Sequence, residues 1–241
     1  MADYDKFAST YDLLHESTAF DVPFYMSEAK KVRGPVLEVA CGTGRIYLRL
    51  LEAGVDAYGI DMSKGMLSEL QKKASARGFK PKVKLADMRN FRLNKKFSLI
   101  IIPFRSFLHL LTIDDQLAAL KCFRRHLAPR GKISLNFFYP SREVISKNYG
   151  REVLRAKKDG LEWKDFSDFE DEPNQIVKSR TRAVKNGRTV AQWRYKLAFI
   201  YKREFELLLR LAGFSKWQVY GGFKKEKLTS SRQEMVWIIE K

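Results

Sequence analysis

The sequence predicts an α/β fold: a doubly wound parallel sheet with helices on both of its faces. In residues 36–51, an apolar, β-branched run typical of a buried strand breaks at two glycines, and an apolar face at helical spacing follows. Residues 97–103 form a nearly continuous apolar run, typical of a central parallel strand covered on both faces. Residues 152–199 alternate instead, so we expect a small antiparallel sheet inserted after the fifth strand of the core.

The glycine turn at the end of the first strand indicates what it can bind. Gly42 and Gly44 are separated by one residue, but Tyr47 stands where the dinucleotide fingerprint has its third glycine. Glu38, at the end of the strand, would repel a pyrophosphate and attract an ammonium or sulfonium group. The turn is therefore better suited to a cationic nucleoside than to a dinucleotide.

Two further acids follow later strands. Residues 55–60 form a short strand that ends on Asp61, roughly where a ribose-binding acid is expected after such a turn, and its carboxylate can accept from both ribose hydroxyls. Asp87 ends the next strand and could accept from an adenine amino group. Met62 and Met88 lie beside these acids, and a thioether makes a good flat contact with a purine ring.

Taken together, these motifs resemble those of class I S-adenosylmethionine-dependent methyltransferases, over residues 36–138. The resemblance implies a Rossmann-like seven-stranded sheet, S-adenosyl-L-methionine as cofactor and methyl transfer without a metal. It implies the following cofactor-binding residues: Glu38, Ala40, Gly42, Gly44, Arg45, Asp61, Met62, Asp87, Met88 and Pro103. Ala40 is a departure, because many members carry the first glycine of the loop there; as a small residue it is expected to be tolerated.

Tyr11 and His109 are the predicted catalytic residues. Residues 7–15 resemble the N-terminal lid of small-molecule methyltransferases, and Tyr11 matches the tyrosine that faces the transfer centre in sugar-amine N-methyltransferases. Residues 106–110 resemble a loop of these enzymes and of glycine N-methyltransferase-like enzymes in which a histidine, here His109, lies on the substrate side. A histidine can take a proton as the methyl arrives, although alignment of the nucleophile alone can do much of the work. In the alternative, Tyr11 packs in its helix and His109 only bonds the backbone.

Arg105 and Ser106, in the same loop, are the predicted substrate contacts. Arg105 could grip a carboxylate or phosphate through two parallel hydrogen bonds, or it could point into solvent. The sequence leaves these two alternatives equal.

The remaining core pattern completes the sheet. Helices are predicted at residues 63–76, where Ser63 can cap the first turn, at 114–126 and at 202–212. Strands are predicted at residues 132–138, 217–220 and 234–239, the last two forming a terminal antiparallel hairpin.

The insertion is predicted to contain four strands, at residues 152–154, 161–169, 176–184 and 189–199. Its turn signals are Asp159–Gly160, Pro173–Asn174 and Asn186–Gly187. Tryptophans and arginines are dense here, so the sheet could bind nucleic acid, form a dimer contact or cover the substrate site. The last is favoured, because in the resembling enzymes an insertion at this place covers that site. The predicted domain limits are 1–139, 140–200 and 201–241.

The composition suggests partners and a compartment. Lys and Arg outnumber Asp and Glu by 46 to 28, a net charge of +18, which attracts anions such as RNA, a membrane surface or a phosphorylated substrate; the charge could equally be spread without a special partner. No apolar run approaches the ~20 residues needed to span a bilayer. Residues 1–5 are polar and acidic, unlike a signal peptide, and two cysteines make no disulfide framework. A cytoplasmic protein is expected.

The leading hypothesis is methyl transfer to the nitrogen or oxygen of a small, anionic molecule. One alternative is an RNA methyltransferase, although residues 102–105 lack the Asn-Pro-Pro-Tyr type of motif that holds a flipped base. Another is a non-catalytic binding protein on the same scaffold. Positive charge around the cofactor mouth would favour a phosphorylated small substrate, and a stripe on the outer face of the inserted sheet would favour RNA. The acceptor, the number of methyl groups and a possible homodimer are left open.

Overall fold

Within residues 4–15, 19–139, 141–158 and 160–241, the computed structural model contains eleven strands in two sheets. In chain order, the strands are β1 (Val36–Val39), β2 (Ala57–Asp61), β3 (Lys82–Leu85), β4 (Phe97–Ile102), β5 (Leu127–Phe138), β6 (Glu152–Lys158), β7 (Leu161–Asp171), β8 (Ile176–Lys185), β9 (Arg188–Ala198), β10 (Lys216–Tyr220) and β11 (Glu234–Glu240). The helices are α1 (Ala8–His15), α2 (Val22–Lys30), α3 (Tyr47–Glu52), α4 (Lys64–Ala76), α5 (Ile113–His126), α6 (Arg142–Asn148) and α7 (Lys202–Leu211), with 3-10 turns at Asp5–Phe7 and Ser106–His109.

The core sheet has the strand order β10-β11-β5-β4-β1-β2-β3. Strands β1 to β5 are parallel to one another, and β11 runs antiparallel to both β5 and β10. Strands β6 to β9 form a separate antiparallel sheet between β5 and α7. The predicted fold class is thus confirmed. The strand order reverses between β1 and β4, and the crevice beyond their carboxyl ends is where such sheets bind ligands.

Two helical layers bury the faces of the core sheet. Successive side chains of a strand point to opposite faces. Accordingly, Ile100 and Ile102 of β4 pack with α5 and α7, whereas Leu99 and Ile101 pack with α2, α3 and α4. This explains the continuous apolar run that predicted a central strand. None of the described helices combines the length and apolar character that crossing a membrane requires.

Helix caps lie where the sequence places them. The Ser63 hydroxyl accepts a hydrogen bond from the Met66 amide at 3.1 Å, and α4 ends at Ala76 as predicted. The Thr112 hydroxyl accepts from the Asp115 amide in the same way, so α5 starts one residue earlier than expected. Short polar side chains before an apolar repeat are therefore reliable boundaries here.

Three elements differ from the predictions, and one of them is β6, which runs to Lys158 instead of ending at residue 154. Helix α6 was not expected; Ser141 caps it, but it buries no side chain and so leaves no apolar repeat in the sequence. Strand β5 begins at Leu127 rather than at residue 132. Leu127 pairs with Phe97 of β4 and Lys132 pairs with Leu99, so the segment between the predicted helix and the predicted strand is an irregular part of β5, where Arg130 takes a φ of 61°.

The insertion follows its predicted hairpins. Asn186 and Gly187 have φ values of 50° and 76°, as a tight two-residue hairpin turn requires, and they join β8 to β9. Asp159 of the predicted Asp159–Gly160 turn lies outside the described residues, as do residues 1–3 and residue 140 at the predicted domain limit. The predicted division into three segments stays a prediction.

Candidate active site

The glycine turn after β1 has three residues with positive φ. Ala40, Gly42 and Gly44 take φ values of 56°, 53° and 90°. A side chain in this region costs about 1–2 kcal/mol, so Ala40 occupies a position that glycine would fill without strain. A Cβ on Gly44 would lie 3.0 Å from Leu48 and Leu70, whereas a Cβ on Gly42 would meet nothing within 4 Å. Gly44 therefore allows close packing, and Gly42 borders open space.

Asp61 joins the end of β2 to this turn. Its Oδ2 accepts from the Gly42 amide and its Oδ1 accepts from the Ser63 amide, each at 2.8 Å. Burial raises the pKa of Asp61, and these amide bonds act in the opposite direction. The structure thus brings together Asp61 and the turn, two features that the sequence placed only by spacing.

Glu38 is a buried acid with an unsatisfied atom. The residue is 2% exposed, and its Oε2 has no hydrogen-bond partner among the described residues. Burial raises the pKa of Glu38 well above its usual value, although the nearby Arg45 lowers it. A buried polar group without a partner is costly, and a donor from a ligand would remove that cost.

Arg45 joins the turn to α2. Its Nη1 and Nη2 donate to the two carboxylate oxygens of Asp21, at 2.6 and 2.7 Å, and Asp21 is fully buried. The guanidinium also lies 4.8 Å from the centroid of the Phe104 ring. Sequence reasoning missed Asp21, because nothing local distinguishes it from other acids before a helix.

Three residues, Asp87, Met62 and Met88, are predicted to contact adenine. Asp87 Oδ1 accepts from the Arg89 amide at 2.9 Å, and Oδ2 accepts from the Arg89 guanidinium. Burial raises the pKa of Asp87, but the bonds from Arg89 outweigh it and lower the value. Met88 is buried in the core and Met62 is 45% exposed. The adenine role of these three residues stays a prediction.

The loop after β4 has an unusual backbone. Phe104 and Arg105 follow the buried Pro103 with φ values of 57° and 64°. Two consecutive left-handed residues that are not glycine cost about 2–4 kcal/mol together. The Phe104 amide donates to Asn136 Oδ1 at 3.0 Å, and the Ser106 hydroxyl donates to the Pro103 carbonyl at 2.7 Å. The predicted substrate contact Ser106 thus uses its hydroxyl within the loop.

Arg105 has a partner inside the chain. Its Nε and Nη2 donate to the two carboxylate oxygens of Glu234 on β11, at 2.9 and 2.7 Å. These are two parallel bonds of the kind expected for a substrate anion. The guanidinium is partly exposed and lies 5.1 Å from the centroid of the Phe138 ring. A role in gripping an anionic substrate would require Glu234 to give way.

Asn136 connects this loop to its surroundings. Its Oδ1 also accepts from the Tyr25 hydroxyl at 2.6 Å, and its Nδ2 donates to Glu234 Oε1 at 2.7 Å. Sequence reasoning missed Asn136, although one signal was present. Ser134 and Asn136 are polar residues on the same face of residues 133–137, a part of β5 that is otherwise apolar and buried.

His109 lies at the end of the 3-10 turn that follows the loop. Its Nε2 is 3.1 Å from the Tyr4 hydroxyl, and its ring centroid is 5.9 Å from that of Tyr195 on β9. Burial lowers the pKa of His109 to about 4, so the imidazole is neutral at physiological pH. Tyr4 and Tyr195 were not among the predicted site residues.

Tyr11 completes what we call the aromatic cluster, formed by Tyr4, Tyr11, His15, Phe104, His109 and Tyr195. The Tyr11 ring is 6.4 Å from Tyr4 and 4.4 Å from His15, and His15 meets Phe104 edge-on at 5.0 Å. Burial lowers the pKa of His15 to about 4 as well. The cluster brings the two predicted catalytic residues, Tyr11 and His109, to the same place.

The N-terminal lid, residues 4–15, is fixed to three other parts of the chain. Asp5 Oδ1 accepts from the Ser63 hydroxyl and the Gly65 amide, both at 2.7 Å, at the start of α4. Asp12 accepts from Thr43 in the glycine turn. Phe7 packs against Trp193 of the inserted sheet, with ring centroids 4.2 Å apart. Residues 4–15 thus contact the start of α4, the glycine turn and the inserted sheet.

Comparison with known proteins assigns the fold and the turn to a family. A protein-family model described as a methyltransferase domain matches residues 36–131. The chain is 33% identical over 170 residues to the dTDP-3-amino-3,4,6-trideoxy-alpha-D-glucopyranose N,N-dimethyltransferase of Streptomyces venezuelae, covering 62% of this chain and 68% of that relative. It is 32% identical over 142 residues to the dTDP-3-amino-3,6-dideoxy-alpha-D-glucopyranose N,N-dimethyltransferase of Streptomyces fradiae, covering 55% and 53%.

A solved structure agrees over the whole fold. The S-adenosylmethionine-dependent methyltransferase of Clostridium acetobutylicum ATCC 824 matches with a TM-score of 0.80, at 21% identity and with 98% of each chain covered. The chain belongs to the class I S-adenosylmethionine-dependent methyltransferases, a family of enzymes whose cofactor is S-adenosyl-L-methionine. The first curated relatives are matched over 52% to 68% of their own lengths.

The residues of the turn fit this cofactor. The unpartnered Oε2 of Glu38 needs a donor, which the ammonium group of the methionine part can supply. Gly42 leaves room for a ligand, and Asp61 is held at the end of β2, where a ribose-binding acid belongs. The assignment of the individual predicted residues to parts of the cofactor stays a prediction.

Proposed function

We propose that this chain moves a methyl group from S-adenosylmethionine to the nitrogen of a small amine held against the aromatic cluster. The observation that carries the proposal is the position of neutral His109 between Tyr4 of the lid and Tyr195 of the inserted sheet. These groups bring hydrogen-bond partners and ring faces to one point, and ring faces attract an amine that carries positive charge.

When bound, S-adenosylmethionine supplies an electrophilic methyl group on a cationic sulfur. The chain then has to present the lone pair of the acceptor to it. With a pKa of about 4, His109 is a poor base towards an ammonium group, whose pKa is ~8 to ~10; the proton transfer would cost roughly 5–8 kcal/mol. His109 therefore acts by alignment rather than as a base, because its bond to the Tyr4 hydroxyl fixes both rings at the acceptor position. The acceptor proton leaves to solvent.

The charges around the crevice support an amine rather than the anionic acceptor expected from net charge. Arg45 is paired with Asp21, and Arg105 is paired with Glu234. On the inserted sheet, Arg155 is paired with Asp165. Each of these arginines thus has its own carboxylate, whereas Glu38 and Asp61 form no ion pair of this kind within the described part of the chain. Such a site attracts cations and gives an anion no unpaired guanidinium among these three.

The names of the relatives support the same acceptor class. The proteins of Streptomyces venezuelae and Streptomyces fradiae are named as N,N-dimethyltransferases of dTDP-linked amino sugars. Their matches cover 62% and 55% of this chain. An amine acceptor is therefore proposed, without naming a sugar.

A nucleic-acid acceptor is the second candidate, and one observation favours it. The solvent-facing side of the inserted sheet carries a row of basic residues in cross-strand register: Lys178, Arg180, Arg182, Arg194 and Lys196. Glu152 pairs with both Arg180 and Arg182, and Glu170 pairs with Lys196, so much of this charge is compensated. The amine proposal is stronger, because it explains the crevice itself.

The first test is calorimetric titration with S-adenosylhomocysteine. Micromolar binding is expected for the wild type and its loss for Asp61→Ala. Asp56→Ala is the matched control, because Asp56 is an exposed acid just before the same strand and pairs with Lys82. Absence of binding by a folded wild type would refute the cofactor assignment.

The second test offers acceptors side by side. Methyl transfer is measured by mass spectrometry with nucleotide-linked amino sugars, glycine, short peptides with free N-termini, simple carboxylic acids and small RNAs. Methylation of an amine at nitrogen supports the proposal. Transfer only to RNA, or only to oxygen of an acid, contradicts it.

A further inference from the structure

The strained turn after β4 needs something to hold it. Phe104 and Arg105 both have left-handed backbones, at φ values of 57° and 64°, and neither is glycine. Such conformations persist only where the surrounding structure over-determines them, and they cluster at functional sites. Here the turn lies between a central strand and the 3-10 turn that ends at His109.

Asn136 holds the backbone of the turn. It is 1% exposed on β5, and its Oδ1 accepts from two donors at once, the Phe104 amide at 3.0 Å and the Tyr25 hydroxyl at 2.6 Å. The turn is therefore tied to β5 and, through Tyr25, to α2.

Glu234 holds the side chain of the same turn. Its Oε1 accepts from Asn136 Nδ2 at 2.7 Å, and its two carboxylate oxygens accept from Arg105. Asn136 and Glu234 also fix each other, so backbone and side chain are restrained by one connected unit. Both residues are far from the turn in sequence, by 32 and 129 positions.

The consequence is the placement of two residues of the aromatic cluster. With the turn in this conformation, the Phe104 ring lies 4.8 Å from the Arg45 guanidinium and 5.0 Å from the His15 ring. The next residues form the 3-10 turn that carries His109 to Tyr4. A relaxed loop would move both side chains.

We propose that Asn136 and Glu234 are positioning residues, a clamp on the loop after β4 that sets where Phe104 and His109 stand against the methyl acceptor. The clamp is a property of the fold, and only its kinetic consequence rests on the proposed methylation of an amine. Its two parts can be tested separately.

Hydrogen exchange tests the clamp without any acceptor. In Asn136→Ala, the peptide covering residues 98–110 should exchange about tenfold faster than in the wild type, because the Phe104 amide loses its buried acceptor. Ser134→Ala is the matched control: Ser134 is fully buried two residues earlier on the same face of β5, and its hydroxyl has no partner among the described residues. That variant should leave the loop unchanged.

Glu234→Gln covers the case in which Asn136→Ala fails to fold. A glutamine keeps the shape and can still accept from Asn136 Nδ2, but it loses the charge pair with Arg105. Loop exchange should therefore rise by a smaller factor than in Asn136→Ala. An unchanged loop in both variants, or exchange that rises evenly over the whole core sheet, overturns the clamp.

Kinetics test the consequence with whichever amine the wild type methylates. In Asn136→Ala, kcat per folded molecule should fall about tenfold, with the Kd for S-adenosylhomocysteine changed less than twofold. A merely structural role would lower the folded fraction and leave kcat per folded molecule intact, which overturns the positioning role. If the wild type methylates no amine, the proposed function fails, and the exchange data still decide on the clamp.

Discussion

The proposed cofactor side and the proposed acceptor side of the site are built in different ways. On the cofactor side, the glycine turn, Asp61 and Ser63 lie within one βαβ unit, and the Gly42–Asp61 bond spans only 19 positions. On the acceptor side, the Tyr4–His109 and Arg105–Glu234 contacts span 105 and 129 positions. The bonds differ too: on the first side Asp61 is held by backbone amides, and on the second Arg105 is held by the Glu234 carboxylate. The first side is thus held by contacts that are short in sequence, whereas the second depends on long-range contacts.

Lowering the pH should destabilise the folded chain through His109, which lies on the proposed acceptor side. The pKa of His109 in the folded chain is about 4, below the unfolded value of ~6.5, so the folded state prefers the neutral ring. The stability contributed is complete above pH ~6.5 and is lost as the pH falls towards 4. The loss should reach about 3 kcal/mol, measured as the free energy of unfolding in urea at successive pH values.

His109→Asn identifies the group responsible for that loss. The amide cannot titrate, so the variant should lose less stability than the wild type between pH 6.5 and pH 4. His15, whose pKa is lowered in the same direction, accounts for the loss of stability that remains in the variant. Parallel pH curves for the wild type and His109→Asn would contradict the prediction.

Glu38→Gln should have opposite effects on stability and on cofactor binding. Burial raises the pKa of Glu38, so its stabilising contribution is present below pH ~4.3 and is lost as the pH rises through the folded value. At a pH above that folded value, the ligand-free variant should be about 1–3 kcal/mol more stable, because no charge remains buried. Affinity for S-adenosylhomocysteine should fall about 10- to 100-fold, measured by calorimetry.

Glu52→Gln is the control for this pair of measurements. Glu52 is an exposed acid on α3 that pairs with Arg77, so its loss should change neither quantity noticeably. A Glu38→Gln variant that binds as tightly as the wild type would remove Glu38 from the cofactor site.

The Arg105–Glu234 pair should show a measurable coupling energy. Two parallel charge-assisted bonds join the partners, but Arg105 is partly exposed, so solvent reduces the gain. In a double-mutant cycle with Arg105→Ala and Glu234→Ala, we expect a coupling of about 1 kcal/mol in the free energy of unfolding. Additive single effects would show that the two side chains hold the loop independently.

Ala40→Gly should give the smallest effect and a stabilising one. Removing the Cβ relieves a left-handed residue at φ 56°, worth about 1–2 kcal/mol, while the freer unfolded chain gives back about 0.5–1 kcal/mol. Net stabilisation of about 0–1.5 kcal/mol is expected in thermal unfolding. Gly42→Ala, at φ 53°, is the reciprocal variant and should destabilise by a similar amount; the same sign for both would contradict the argument.

Much of the fold could be predicted from short-range signals. The Ser63 cap, the Asn186–Gly187 hairpin and the apolar run of β4 each fix local structure through their own chemistry, and the structure confirms all three. Helix α6 could not be predicted, because it buries no side chain and so carries no apolar repeat.

The candidate site, like the fold, could be predicted only in part. Tyr11 and His109 were identified by resemblance, yet their neighbours Tyr4 and Tyr195 were not, since each joins the cluster from a segment with no motif of its own. Arg105 shows the limit most clearly: its residue type suggested an anion, and only the structure reveals that Glu234 already occupies its guanidinium.

The sequence by itself determined the sheet, its insertion and the turn that suits a cationic nucleoside, because strand periodicity, glycine backbones and strand-end acids act over a few residues. The tertiary structure decided which arginines are neutralised, where the lid is fixed and how Asn136 restrains the loop after β4. Those outcomes depend on pairs of residues that are distant in the chain, and hydrogen bonding and burial select such pairs only once the chain has folded.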